Sequence, residues 1–547
     1  MFTALEDLPS RNQPAPLSGY NAYASHKALR EAIIREAPGA DDTRLHELGA
    51  TVGSAEVHEL VKRAHENPPR LLARDAAGAR LDEVIFHPAW HDWMRICIGS
   101  GAHSLGWTDE WKGSDVIRAA LFLLLNEADQ AIACPLGMTH CCIPALETDK
   151  EIAARWRPRI TSTAYDPRSL PAGEKTGLLI TMAVTEQIAG TDLKQIETQA
   201  LPDPATDGYL LSGRKWFYSV PQADGALVLA RTNSGISCFL MPRFRPDGTR
   251  NSIYLHRLKD KAGDRANASS EAELKNAWAQ RLGAEGRGFE VMFKMIQNTR
   301  FDVALSSLGL MHQAVAQALH YAGGRMAFGA PLKDLPLMEN VLADLSLESE
   351  AALVLAMRTA RAIDDAKHGD KQAARFARIA VALHKYWTCK RTPWAAFEAM
   401  EVFGGNGYIE DRPMARLYRQ APLNSIWEGS GNVLCLDVLR AIRQDGEAYA
   451  AILDEIALAK SHCTLLDDIL RELKTYRSAP PEEAAARQFT EKLTLALQAS
   501  LLIRFAPAFV ADAFCASRLA ASYRGAFGTL PHGCRNGEIV ARTAPTS

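Results

Sequence analysis

Hydrophobic residues recur with three different rhythms along the chain. Up to about residue 179, the segments 55–64 and 116–129 carry apolar residues at three- and four-residue spacing, punctuated by Asn67-Pro68-Pro69 and His87-Pro88. That spacing predicts helices joined by Pro-rich turns. From Gly177 the period shortens, and 178–184, 209–213, 226–230 and 236–241 are short apolar runs split by Asp207-Gly208, Asp224-Gly225 and 233–235. Such runs predict an antiparallel β domain, a small barrel or sandwich, closing near 283–288. The helical period then returns. Leu308, Met311, Val315, Leu319 and Ala322 form one stripe; Leu342, Leu345 and Ser349 begin another; Ala377, Ala380 and Leu383 lie in a third. Long helices with few breakers predict a four-helix bundle. Beyond Arg443 the reading is again helical: an amphipathic stretch 454–473, a Pro-containing break at 478–483, an Ala-rich apolar stretch 489–521, and a Gly-rich end expected to be loose. The expected fold class is α+β, with an N-terminal helical domain (1–179), a central antiparallel β domain (180–288), a four-helix bundle (289–443) and an extra helical domain (444–547).

Composition narrows the function classes. A chain of 547 residues is too long for one core. Its net charge of −2 gives no whole-molecule argument for nucleic acid or membrane. The opening M-F-T-A-L-E-D-L-P-S-R reads as no signal peptide, and the longest notable apolar run, 119–125, is too short to span a bilayer. Ten cysteines without a C-x-x-C pattern point to a reduced, cytoplasmic chain and away from a cysteine-ligated metal. His87 and His91 flank Trp90 but lack an evident third ligand, so packing or surface roles are expected and no metal is assigned.

The chemistry is concentrated in a few stretches. In 424–440 one carboxylate, Glu428, sits between Trp427 and the turn Gly429-Ser430-Gly431, and helical spacing resumes at Val433, Leu436 and Leu439. A carboxylate at the mouth of a turn, backed by an apolar helix, has the makings of a general base; a solvated glutamate at a helix start is the alternative. The loop Met182-Ala183-Val184-Thr185-Glu186-Gln187-Ile188-Ala189-Gly190-Thr191-Asp192 offers hydroxyls and a permissive glycine. In Gly213-Arg214-Lys215-Trp216-Phe217-Tyr218-Ser219, three aromatics on a strand supply one face for the core and one for a flat ligand. Arg325-Met326-Ala327-Phe328-Gly329 places a guanidinium after a long helix, suited to phosphate or to the helix dipole. Glu401-Val402-Phe403-Gly404-Gly405-Asn406-Gly407-Tyr408 ends a helix in glycines whose amides can face an anion.

Taken in order, these blocks resemble the M-x-x-T-E-x-x-x-G-S-D, G-x-K-x-W-I-T, R-x-x-F-G, G-G-x-G-Y and Y-E-G-T/S signatures of acyl-CoA dehydrogenases. Asn12-Gln13-Pro14, Phe86-His87-Pro88-Ala89-Trp90-His91, the continuation to Val220-Pro221-Gln222 and the C-terminal extension resemble the family's AidB-like branch, of the bacterial adaptive response to DNA alkylation. The resemblance implies FAD held between domains and across a subunit interface of a homotetramer. It implies that Glu428 is the base that removes an α-proton. It implies that Met182, Val184, Thr185, Gly190, Thr191, Phe217, Tyr218, Ser219, Arg325, Phe328, Glu401, Gly405, Trp427, Gly429, Ser430 and Asn432 belong to the cofactor site. Thr191 stands where the family has Ser, Phe217 where it has the flavin-stacking Trp, and Trp427 where it has Tyr. Arg440, twelve residues after Glu428, is expected to modulate the pocket by lowering the base's pKa.

Two functions follow. One is an AidB-type flavoprotein that binds double-stranded DNA and has weak, isovaleryl-like acyl-CoA dehydrogenase activity. The other is a metabolic dehydrogenase of short branched acyl-CoA with no DNA role. From residue 487 on there are seven basic residues, Arg487, Lys492, Arg504, Arg518, Arg524, Arg535 and Arg542, against three acids, Glu491, Asp512 and Glu538. This excess makes Arg504, Arg518 and Arg524 candidate DNA contacts, through the backbone and sensitive to salt.

Overall fold

The computed structural model describes residues 11–546. The first ten residues, on which the signal-peptide reading rests, lie outside them. Near the N-terminus run Lys27–Glu36 (α1), Ala55–Glu66 (α2) and Ser114–Ala128 (α3). Helix α2 starts where Ser54 accepts the Val57 N–H, as Ser before an apolar period does. Helix α3 is buried along its whole length; its sequence is mostly apolar, with Asp115, Arg118, Asn126 and Glu127 enclosed as well. This region is not purely helical: Arg70–Arg74 (β1) and Arg80–Ile85 (β2) pair as an antiparallel hairpin. Their charged residues hide any apolar run.

The central strands are Ile180–Ala183 (β3), Gln199–Pro202 (β4), Tyr209–Ser219 (β5), Gly225–Thr232 (β6), Gly235–Pro242 (β7), Ile253–Leu258 (β8) and Ser269–Leu282 (β9). The order β3-β6-β4-β5-β9-β7, with β7 pairing back onto β6, closes a ring, and β8 pairs with β9. The expected antiparallel sheet is corrected at one strand: β6 runs parallel to β3 and to β4. The chain reaches β6 from β3 only after passing through β4 and β5, which gives the long connection that parallel neighbours require. Strands β6 and β7 are buried on both faces and so read as continuous apolar runs. Strand β9 alternates small apolar and charged residues, and its period was invisible to a search for apolar runs.

The bundle is Gly288–Gly324 (α4), Pro336–Lys367 (α5), Lys371–Val402 (α6) and Gly431–Gln444 (α7). Every residue of the three sequence stripes is buried. On α7 the buried positions are Leu434, Cys435, Asp437, Val438 and Leu439, so the stripe sits one residue on from Val433 and Leu436. Then come Gly446–Ala457 (α8), Thr464–Thr475 (α9), Ala486–Phe505 (α10), Ala508–Arg518 (α11) and Asn536–Thr543 (α12). The single helix expected over 454–473 is two, separated by a turn in which Ser461 has φ 73°. The apolar stretch 489–521 breaks before Pro507, which opens α11 with φ −57°. The Gly-rich end is not loose: Arg542 on α12 pairs with both Glu31 and Glu350. One apolar core runs through the bundle and these added helices together, from Leu310 and Leu383 to Leu497 and Phe514.

Candidate active site

Glu428 lies in the short loop between Trp427 and α7, in left-handed backbone at φ 56°. A non-glycine residue held there needs support from its surroundings, and three residues on two helices supply it. Thr299 Oγ1 of α4 donates to Glu428 Oε2 at 2.7 Å. Arg300 Nε donates to the Glu428 carbonyl at 3.2 Å. Lys385 Nζ of α6 donates to the carbonyls of Trp427 and Gly429, at 2.8 and 2.7 Å. Burial raises the Glu428 carboxyl above the ordinary glutamate value; the Thr299 hydrogen bond and the charges of Lys385 and Arg300 only partly offset it. Burial likewise lowers the Lys385 ammonium to about 8. Arg300 Nη1 continues to Asp437 Oδ2 of α7 at 2.9 Å, and Arg378 clasps both oxygens of Asp437 at 2.9 and 3.0 Å. The loop is thus fastened to α4, α6 and α7 at once.

Thr299, Arg300, Lys385 and Asp437 were missed by the sequence reading. The signal available was charge on an apolar period: Lys385 two residues after Leu383 of the third stripe, and Asp437 inside L-C-L-D-V-L. Arg440 is a correction. Its side chain is exposed and meets Asp437 at 3.6 Å, so the arginine beside Glu428 is Arg300. A helix advances about 1.5 Å per residue, which carries Arg440 away from the loop.

The β domain brings its two blocks together. Trp216 N–H donates to the Thr185 carbonyl at 2.8 Å. Lys215 Nζ, wholly buried, reaches Glu186 Oε1 at 2.6 Å, and Glu186 also accepts from Thr198 Oγ1 at 2.5 Å and the Glu197 N–H at 2.7 Å. Thr181 Oγ1 donates to the Ser219 carbonyl at 2.6 Å, and the hydroxyls of Ser219 and Ser269 lie 3.1 Å apart. Met182, Val184 and Trp427 are half-buried against the same apolar cluster, with Ile296 and Phe289 of α4 beside them. Phe217 stands 45% exposed, with Lys259 Nζ 4.6 Å from its ring centre. Tyr218 is another correction. Strand alternation turns it into the core, where it is buried, so its ring is not offered to a ligand. Gly190 and Thr191 lie exposed at the loop's far end.

The loop glycines divide. Gly429 has φ 106°, which favours glycine. At Gly431 a Cβ would come within 2.8 Å of Lys390 Cε and 3.3 Å of Tyr386, so that glycine lets α7 approach α6. Ser430 precedes α7 without a side-chain cap bond. Asn432 is exposed and accepts from Arg487 Nε at 2.8 Å.

A second group of expected residues gathers at the other end of α4. Arg325 follows the helix, and Met326–Ala327 (β10) and Ala330–Pro331 (β11) form a hairpin whose tip, Phe328, is 96% exposed. Asn12 brackets Met326 by bonds of 2.7 and 2.8 Å, and Arg325 donates to the Asn12 carbonyl. Asn406 Nδ2 reaches Gln13 and the Tyr321 hydroxyl at 3.0 Å each. Glu401 and Gly405 are exposed beside it, and Tyr408 is 80% exposed. Arg300 and Arg325 are 25 residues apart on or just after one helix, about 38 Å at 1.5 Å per residue.

Two of the three DNA candidates are corrected. Arg518 is buried between Asp344 and Glu348, and Arg504 is held by Glu455 at 2.8 Å. Arginines held by acids of α5 and α8 inside the molecule cannot also face phosphate. Arg524 is exposed.

Comparison with known proteins agrees with this architecture. The description "Adaptive response protein AidB N-terminal domain" matches residues 12–167. The middle and C-terminal domains of acyl-CoA dehydrogenase match 181–277 and 286–443. The Escherichia coli (strain K12) acyl-CoA dehydrogenase AidB is 42% identical over 507 residues, covering 92% of this chain and 93% of its own. A crystal structure of Caenorhabditis elegans ACDH-11 in complex with C11-CoA superposes with a TM-score of 0.82 at 25% identity, over 99% of this chain and 93% of that one. An acyl-CoA dehydrogenase from Bacillus anthracis complexed with FAD has the same fold, with a TM-score of 0.65 at 17% identity, over 85% and 86%. The chain belongs to the acyl-CoA dehydrogenase family of FAD-dependent oxidoreductases, in its AidB-like branch.

Proposed function

We propose that this chain is an AidB-type FAD flavoprotein in which Glu428 takes the α-proton of a short branched, isovaleryl-like acyl-CoA. We propose too that it binds double-stranded DNA in the response to DNA alkylation, as a cytoplasmic homotetramer. The observation that carries the catalytic half is the Glu428 loop: a carboxylate with a raised pKa, fixed by Thr299, Arg300 and Lys385. A base whose pKa is raised towards working pH takes a proton more readily in the transition state.

The cleft fits FAD. The half-exposed Phe217 ring offers a stacking face, and Thr185, on the loop tied to β5, and Ser219, at the end of β5, offer hydroxyls. Met182, Val184 and Trp427 supply apolar walls, with Gly190, Thr191, Gly429, Ser430 and Asn432 along the rim. When bound, FAD accepts the β-hydride. The protein's own residues exclude water with Trp427, hold the substrate's α-carbon before Glu428 and keep that carboxylate aimed. The bulk of Trp427 favours a short acyl group. Arg325, Phe328, Glu401 and Gly405 lie about 38 Å along α4 from this cleft, which supports their serving the FAD of a neighbouring subunit.

DNA binding rests on the AidB resemblance and on Arg524, Arg487 and Arg535, which remain exposed. The metabolic reading is favoured by the internal ion pairs of Arg504, Arg518, Arg542 and Lys492. Anaerobic flavin absorbance under isovaleryl-CoA, beside a duplex-DNA shift at two salt concentrations, separates them. A salt-sensitive shift with slow bleaching is expected. Fast bleaching with no shift at either salt would leave a metabolic dehydrogenase alone.

A further inference from the structure

Far from the Glu428 loop, two histidines and a carboxylate from three elements meet in the interior. His26 precedes α1 as its N-cap without making a cap bond, Glu127 lies in the last turn of α3, and His312 lies midway along α4. All three are buried. Among the described residues this is the one group of three potential ligands whose donor atoms all lie within 4.8 Å of one another. His312 Nδ1 approaches Glu127 Oε1 at 3.1 Å and His26 Nδ1 approaches it at 3.5 Å. Yet neither nitrogen, and neither Glu127 oxygen, has a partner in hydrogen-bonding geometry. The reason is visible in the rings, which stack face to face with centroids 3.6 Å apart and planes 3° from parallel, so the nitrogens converge without aiming at the oxygen.

A buried carboxylate without hydrogen bonds is costly, and such orphaned atoms demand an explanation. We infer that His26, Glu127 and His312 form a binding site for a zinc-like divalent cation that bolts the N-terminal helices to the bundle. Two imidazole nitrogens and one carboxylate suit Zn2+ and its first-row neighbours; Mg2+ and Ca2+ take all-oxygen sets. Burial lowers His26 to about 4 and so keeps it the neutral imidazole that ligates. A cavity of about 10 Å3 touches His26 and His312, though not Glu127, with Glu350 and Arg542 on its far wall, and leaves room for one water as fourth ligand. Both ring planes must contain a shared ion, so coordination opens the stack.

The test uses the full FAD-loaded protein, stripped with a chelator, exchanged into metal-free buffer and titrated with Zn2+ or Co2+. Close to one Zn2+ per chain is expected to survive gel filtration in the presence of excess Mg2+, and Co2+ should give the visible d–d bands of a low-coordinate nitrogen–oxygen site. Glu127→Gln should cut the retained metal at least tenfold with flavin content unchanged. Because Glu127→Gln may disturb the interior, His26→Asn is the second variant: asparagine is itself a favoured N-cap and should keep α1 in place while removing a ligand. Wild-type protein that retains no stoichiometric metal, or metal retention unaffected by His26→Asn, would overturn the site.

Discussion

Glu428 shows what a single residue contributes here. Its carboxyl is pushed up by burial, so it must lose a proton that the fold prefers it to keep. Flavin reduction by an accepted acyl-CoA is expected to rise with pH through that elevated pKa, read by stopped-flow absorbance across a pH series. Glu428→Gln should slow the same step by roughly 10²–10⁴-fold, the range for removing a general base. The stability consequence has a definite sign. A carboxyl whose folded pKa exceeds its unfolded value contributes stability that is complete below the unfolded pKa and lost as pH rises through the folded one. Glu428→Gln should therefore gain thermal stability over wild type as pH rises through the raised value, and calorimetry at acidic and neutral pH checks it. Glu428 was legible in the sequence as a candidate base, because a carboxylate between Trp427 and a glycine turn is a local pattern. Thr299, Arg300 and Lys385 were not, because they reach it from α4 and α6, up to 129 residues away in sequence.

At the scale of elements, buried ion pairs do the fastening. Arg300, Asp437 and Arg378 tie α4, α6 and α7 beneath the Glu428 loop. Removing one partner of such a pair strands a charge in the interior. Asp437→Asn should cost about 3–5 kcal/mol by denaturant unfolding, and it should slow flavin reduction by loosening the loop. The second expectation distinguishes it from a remote destabilising change of equal size. Elements with a strong single period were legible: the stripes of α4, α5 and α6 and the apolar runs of β6 and β7 are where the spacing placed them. The hairpin β1–β2 and strands β8 and β9 were not, since charged residues such as Arg70, Arg74, Arg80, Arg257 and Lys275 interrupt their apolar positions. Tyr218 was misplaced because the face a strand residue presents is set by tertiary packing, and Arg440 because the rise of α7 carries it away from the loop.

For the whole molecule, the arginine-rich end of the sequence is best understood as packing. Arg518 enters the bundle between Asp344 and Glu348, and Arg504 meets Glu455. Arg518→Met should lower the unfolding temperature while leaving the salt dependence of any DNA binding unchanged, whereas Arg524→Ala should weaken DNA binding and reduce its salt slope by about one unit with little effect on stability. Gel shifts over a salt series, beside a melting curve, read both. The charge excess was visible in the sequence; that Arg504, Arg518, Arg542 and Lys492 are paired internally was not, because their acids lie on α1, α5, α8 and α9. The clasp of Arg542 on Glu31 also governs how the molecule comes into being. The two residues are 511 positions apart, and at a synthesis rate of about 5–20 residues per second the ribosome delivers the second roughly 25–100 s after the first. Helix α1 must wait that long for this partner, and Glu350, 192 positions before Arg542, waits roughly 10–40 s with its charge uncompensated.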